Sequence, residues 1–142
     1  MPIFEYDRAG IAAVITPGDG RYLMQLRDDK PGLLYPGYTC LFGGAIEAGE
    51  SASEALLREL YEELRFRPTR FSYLTEIVYP RMVDGIRQFV HDTHFLIRAT
   101  AAEIGGMELH EGAAMELLTL QQIVARKVVP WDVCGLLYAD GT

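Results

Sequence analysis

Between Gly44 and Phe66 the chain reads GAIEAGESASEALLRELYEELRF. Six glutamates fall in that stretch (Glu47, Glu50, Glu54, Glu59, Glu62 and Glu63), against two arginines, Arg58 and Arg65. Leu56, Leu57, Leu60 and Leu64 recur at the spacing that lines one face of an α-helix, and Ala52, Ala55, Glu59, Glu62 and Glu63 form a separate stripe. Ser51 followed by Glu54 is the pattern of a capping box at the helix start. On such a helix Glu59 is a neighbour of both Glu62 and Glu63. Like charges at that spacing cost about 0.2–0.5 kcal/mol per pair. A merely solvated acidic face is the bland reading. The alternative is a divalent cation that removes the repulsion, since hard cations take oxygen ligands.

The residues just upstream favour the cation. Gly43, Gly44 and Gly49 permit backbone conformations closed to other residues. The order is strand (Thr39 to Phe42), glycine-rich loop, acidic helix. Together these residues resemble the Nudix box, G-x5-E-x7-R-E-U-x-E-E-x-G-U with U a bulky apolar residue. Gly44, Glu50, Arg58, Glu59, Leu60, Glu62, Glu63 and Phe66 stand at the matching places. Arg65 departs from the pattern, which has a glycine there; that glycine falls near the helix end, where a left-handed cap is common.

The resemblance implies the Nudix fold, an α/β class α/β/α sandwich with a mixed β-sheet. It implies cleavage of a diphosphate linkage in a nucleoside diphosphate derivative by water attack on phosphorus. It implies Glu59, Glu63 and Glu62 as metal ligands, with the backbone carbonyl of Gly44 added, and Mg2+ as the ion, Mn2+ being an alternative. The catalytic set it implies is Glu50, Arg58, Glu62 and Glu111. In it Arg58 orients a glutamate through its planar fork. Glu50 binds metal or holds the loop. Glu111, followed by Gly112, is the candidate general base outside the box, with Glu108 the next choice. The resemblance also favours a homodimer.

At 142 residues the chain reads as one domain, 1–142, with room for a sizeable core. A net charge of −7 argues against a nucleic-acid duplex as partner, because phosphate backbones are bound by basic patches. A small phosphorylated substrate remains compatible, since metal ions bridge two negative partners. MPIFEYDRAG lacks the features of a signal peptide, and no apolar run approaches membrane-spanning length. The chain therefore reads as cytoplasmic, with Cys40 and Cys134 as free thiols.

Along the chain, Ile11–Thr16 and Arg21–Arg27 flank Pro17-Gly18-Asp19-Gly20 and read as an antiparallel hairpin. Asp28–Gly37 reads as a loop; Arg27, Asp28, Asp29 and Lys30 either border a pocket or form an exposed turn, and Tyr35 and Tyr38 either stack on a ring or pack under the loop. Phe71–Tyr79 and Arg87–Ala99 read as strands joined by Pro80–Gly85, the second long or bulged, with Asp92 near the site if that strand crosses it. His91 and His94, three apart on a strand, face opposite ways and are read as ordinary strand histidines. Thr100–Gly106 reads as a turn or edge segment, Glu108–Ala113 as a loop, Met115–Leu118 as a strand, Leu120–Lys127 as a short helix and Trp131–Tyr138 as a last helix or turn. Two other functions fit less well: a binding or sensing domain need not keep Glu59, Glu62 and Glu63 together, and isomerisation of an isoprenyl diphosphate has only Cys40 near the box to support it.

Overall fold

The computed structural model describes residues 6–141. The reading of the N-terminus as leaderless falls in part on residues 1–5 and to that extent lies outside the described residues. Among the described residues no helix is long and apolar enough to cross a membrane.

Strand β1 (Arg8–Thr16) is the centre of the molecule. It pairs antiparallel with β4 (Phe42–Ala45) on one side and parallel with β6 (Ile86–Arg98) on the other, and β5 (Phe71–Val83) closes that sheet antiparallel to β6, giving the order β4-β1-β6-β5. A second, antiparallel sheet has the order β3-β2-β7, from β2 (Arg21–Leu26), β3 (Thr39–Cys40) and β7 (Ala114–Thr119). Successive side chains of a strand point to opposite faces. Ile11, Ala13 and Ile15 therefore enter a core with Leu56, Leu60 and Leu64 of helix α1 (Ala52–Leu64). Ala12 and Val14 enter a second core with Leu136 and Ala139 of helix α4 (Pro130–Asp140). The result is an α/β/α sandwich with a mixed sheet. Two five-residue helices, α2 (Ala101–Gly105) and α3 (Leu120–Val124), lie in the connections.

Four local expectations give way here. β1 and β2 are not a hairpin: they belong to different sheets, because β6 takes the ladder edge of β1 that β2 would have used. The strand expected at Thr39–Phe42 breaks at Leu41, whose N–H leaves the ladder for the Asp132 carboxylate at 3.0 Å. Thr100–Gly106 is the helix α2, started by a capping box between Thr100 and Glu103. Pro80–Val83 is strand, and the connection shrinks to Asp84-Gly85, both at positive φ as a tight primed hairpin turn requires. Pro80 is tolerated because β5 is an edge strand.

Helix α1 begins as its sequence requires: the Ser51 hydroxyl accepts the Glu54 N–H at 3.1 Å and the Glu54 carboxylate accepts the Ser51 N–H at 2.9 Å. Arg65 closes it in the left-handed region, at φ 52°. Its guanidinium donates to the carbonyls of Tyr61 and Glu62 at 2.9 and 3.1 Å, so the side chain caps the helix end that a glycine would cap by backbone alone. Leu57 is exposed and Ala55 takes its place in the core.

His94 on β6 is fully buried, neither ring nitrogen has a hydrogen-bond partner, and Gly135 of α4 sits so close that a Cβ there would strike the ring. Burial lowers its pKa from 6.5 to about 4. The unfolded chain accepts a proton in that interval and the folded chain does not, so His94 costs nothing above pH 6.5 and destabilises the fold as pH falls toward 4. Denaturant unfolding at about pH 7 and about pH 5 should show His94→Leu gaining about 2 kcal/mol on the wild-type protein between the two. An unchanged difference between the two proteins would clear this histidine of the effect.

Candidate active site

The site lies where β4 meets α1. Arg58, on the solvent side of the helix, gathers the glutamates around it. Its Nε and Nη2 donate to the two carboxylate oxygens of Glu50 at 2.7 and 3.0 Å, a forked pair. Nη1 donates to Glu59 at 2.9 Å and to Glu62 at 3.4 Å, with Glu47 at 3.6 Å. Nη2 also donates to the Ala45 carbonyl at 2.9 Å, which ties α1 to the end of β4. Hydrogen bonds from Arg58 hold the Glu50 carboxyl below the usual carboxylate range.

Glu63 stands apart from this clamp. It is 2% exposed, and neither carboxylate oxygen has a hydrogen-bond donor. Its place follows from helix phase: it lies three residues after Leu60 and seven after Leu56, on the core-facing stripe rather than on a separate acidic one. Burial, then the neighbouring carboxylates of Glu111 and Glu59, push its pKa far above the ordinary value. Burial also raises Glu59, against the pull of Arg58. Gly44 faces this pair, and a Cβ there would collide with the Glu59 carboxylate.

Glu111 reaches the cluster from a loop distant in sequence. That loop is stapled to the end of α1 by backbone bonds from Glu108 N to the Leu64 carbonyl, 2.9 Å, and from His110 N to the Glu63 carbonyl, 2.8 Å. Gly112 follows at φ 79°, packed so tightly on β2 that a Cβ would lie 2.7 Å from Gln25 Oε1. Glu108 itself is exposed.

Beside the carboxylates opens a cavity of about 210 Å³ lined by Glu111, Gly43, Asp92, Asp132, Tyr35 and Trp131, among others. Trp131 stacks on Tyr79 with ring centres 4.1 Å apart and meets Tyr35 edge-on at 5.2 Å. The Tyr79 hydroxyl donates to Asp92 at 2.7 Å. Burial raises the Asp132 pKa to about 7, against the Leu41 N–H that holds its carboxylate. Arg27 lines the cavity, whereas Lys30 pairs with Asp28 at 3.8 Å on the surface.

A family model described as the NUDIX domain matches residues 7–134. The chain belongs to the NUDIX domain family. It is 43% identical over 55 residues to the nucleoside triphosphatase NudI of Escherichia coli, a match covering 38% of this chain and 38% of that protein. The chain thus aligns with little more than a third of the length of the curated relatives it matches. Among solved structures it is similar to a MutT NUDIX hydrolase from Burkholderia pseudomallei, with a TM-score of 0.76 at 22% identity over 92% of this chain and 96% of that one. It is also similar to the E. coli ORF135 protein, with a TM-score of 0.70 at 25% identity over 94% and 89% of the two chains.

Of the Nudix-box positions, Gly44, Glu50, Arg58, Glu59, Glu62 and Glu63 fall in one neighbourhood, with Glu111 beside them. Asp92 borders the adjoining cavity, as its strand allows. Sequence reasoning passed over Asp132, Trp131, Tyr79 and Arg81. Only a buried acid in the first turn of the last helix, next to the single tryptophan, could have signalled the first two.

Three carboxylates gathered on Arg58 and a fourth left without a donor are the features a cation would fit. Among the described residues no three acidic, histidine or cysteine side chains already stand in a ready-made ligand array, because Arg58 engages Glu50, Glu59 and Glu62. The orphaned, buried Glu63 carboxylate still matches a hard divalent ion in its chemistry. With its pKa raised this far, Glu63 takes up a proton on folding at neutral pH, and a neutral isostere spares the fold that cost. Glu63→Gln should therefore raise the melting temperature of the metal-free protein and abolish any further rise on adding Mg2+. A variant that melts lower without metal would contradict this account of the cluster. Arg58→Met should cost about 1–3 kcal/mol in denaturant unfolding, the scale of hydrogen bonds to charged groups.

Proposed function

We propose that this protein is a metal-dependent pyrophosphohydrolase that cleaves a diphosphate linkage in a nucleoside triphosphate or another nucleoside diphosphate derivative. The observation that carries the reading is the buried Glu63 carboxylate, without a donor, between Glu59 and Glu111. Family membership supports diphosphate chemistry, and the name of the E. coli relative makes nucleoside triphosphates the first substrates to try. In this reading residues 1–142 act as one cytoplasmic domain on a small nucleotide rather than on a duplex, and the homodimer is carried over from the family.

The residues divide the work by their surroundings. Glu59, Glu62 and Glu63, with the Gly44 carbonyl, would hold Mg2+, or Mn2+ in its place. The bound ion supplies positive charge to the diphosphate oxygens and acidifies water. Arg58 sets the directions of Glu50, Glu59 and Glu62 through its fork. Glu111 is the proton acceptor of this scheme: it is exposed enough to meet a water, and its loop is fixed by two backbone bonds to α1. The cavity next to Glu111 would offer Trp131 and Tyr35 to a planar ring.

A panel of nucleoside triphosphates, nucleotide sugars and dinucleotides, assayed with Mg2+ and with products identified, tests the reading. Hydrolysis should vanish with chelator and return with Mg2+. Glu63→Gln should keep the fold by circular dichroism and lose activity by more than about tenfold, the loss expected for one charge-bearing group at a site of developing charge. Undiminished turnover in a well-folded Glu63→Gln variant would take that residue out of the mechanism.

A further inference from the structure

The cavity next to the box is acidic. Asp92, Asp132 and Glu111 line it, and the basic residues there are Arg27 and Arg81. A diphosphate entering that space meets three carboxylates, so a cation from the protein is needed on the side that the box does not reach. Arg27 gives one short bond, from Nε to the Leu34 carbonyl at 2.9 Å, which ties it to the 28–37 loop. Arg58 is committed to its glutamates.

Arg81 is not committed in this way. Among the described residues it has no carboxylate within 4.0 Å, and its hydrogen bonds are two long ones, 3.4 Å, to the amide oxygen of Gln88. Its charge acts on Asp92, which shares its cavity, through space and without an ion pair. The Asp92 carboxylate instead takes the Tyr79 hydroxyl at 2.7 Å. Tyr79 and Arg81 are two apart on β5 and so point to the same face, where Tyr79 stacks on Trp131. Arg81 is thus brought to the wall of the aromatic cavity. It also borders a second cavity, of about 150 Å³, with Gly44 and Ala45 of β4. Arg81 therefore borders both the ring pocket and the glycines under the acidic helix, where Arg8 is the other basic residue of the second cavity.

We propose that Arg81 is a substrate-binding residue whose guanidinium, held only by two long bonds to Gln88, grips the diphosphate of the substrate where the aromatic cavity meets the glycines of β4. The proposal rests on the hydrolase reading for its ligand class. A planar, five-donor cation suits phosphate oxygens, and its loose hold on Gln88 leaves those donors available.

Inorganic pyrophosphate with Mg2+ is the probe, titrated by calorimetry and by the fluorescence of the single tryptophan, Trp131, in the same cavity. Arg81→Met should weaken pyrophosphate binding by about ten- to hundredfold, the range carried by hydrogen bonds to a charged group. Arg81→Lys, which keeps the charge without the fork, should weaken it by a smaller factor. Arg126→Met, which removes an equal charge from the surface pair with Glu116, should leave it unchanged. Wild-type affinity in Arg81→Met, an equal loss in Arg126→Met, or no binding by the wild-type protein overturns the proposal. If Arg81→Met does not fold, Arg81→Lys decides, and unchanged affinity there overturns it. Should binding fall as expected while no nucleotide is hydrolysed, the hydrolase reading fails and Arg81 stands as an anion-binding residue.

Discussion

A single guanidinium holds this site in shape. Glu50, Glu59 and Glu62 carry like charges within reach of one another, and Arg58 engages all three while also bonding the Ala45 carbonyl at the end of β4. The clamp joins helix α1 to the glycine-bearing strand, so the register between them is fixed by charge as well as by packing. It is also selective. Arg58 reaches outward and Glu63 points inward, so the clamp bonds the outer glutamates and leaves the buried one without a donor. Breaking a buried ion set by removing one partner is costly because the remaining charges are stranded. The stranded Glu63 is the opposite case, a cost built into the fold that binding of a cation would offset.

The helix can carry that cost because its other contacts are firm. Leu56, Leu60 and Leu64 are fully enclosed against Ile11, Ala13 and Ile15 of β1, and both ends are capped. Burial of side chains this size stabilises by about 1.5–3 kcal/mol each. That support lets Glu63 occupy a position that periodicity assigns to an apolar residue. It also gives the distant Glu108–Gly112 segment something rigid to attach to, and the attachment brings Glu111 up to Glu63. Site geometry here descends from core packing in two steps.

What could be read from the chain divides along sequence distance. The acidic helix, its capping box and the resemblance of its residues to a family all lie within one continuous stretch, where spacing translates directly into geometry. The β1–β2 pairing was misread because a Pro-Gly turn between two apolar runs is the ordinary sign of a hairpin, and nothing local says that β6, some eighty residues on, claims that edge. Leu41 was misread for the same reason. Its N–H is taken by Asp132, 91 residues away, and no local rule contains that bond. Glu63 was assigned to an acidic stripe by its charge, whereas its phase relative to Leu56 and Leu60 put it on the core face.

The same distinction separates the two parts of the candidate site. Glu59, Glu62 and Glu63 come from one helix. The cavity wall is assembled from β5, β6, the 28–37 loop and the first turn of α4, so Tyr35, Tyr79, Arg81, Asp92 and Asp132 meet only in the folded chain. All but Arg81 are anchored by a short contact from another element: Tyr79 by Trp131 and Asp92, Asp132 by Leu41, Tyr35 by Trp131. Substrate choice in such an arrangement varies by changing any one wall without touching the box. Arg81 stands where the two parts join, on the strand that supplies the cavity and beside the glycines that lead into the helix, and in the proposed role a residue so placed would couple recognition of the substrate to the position of its diphosphate.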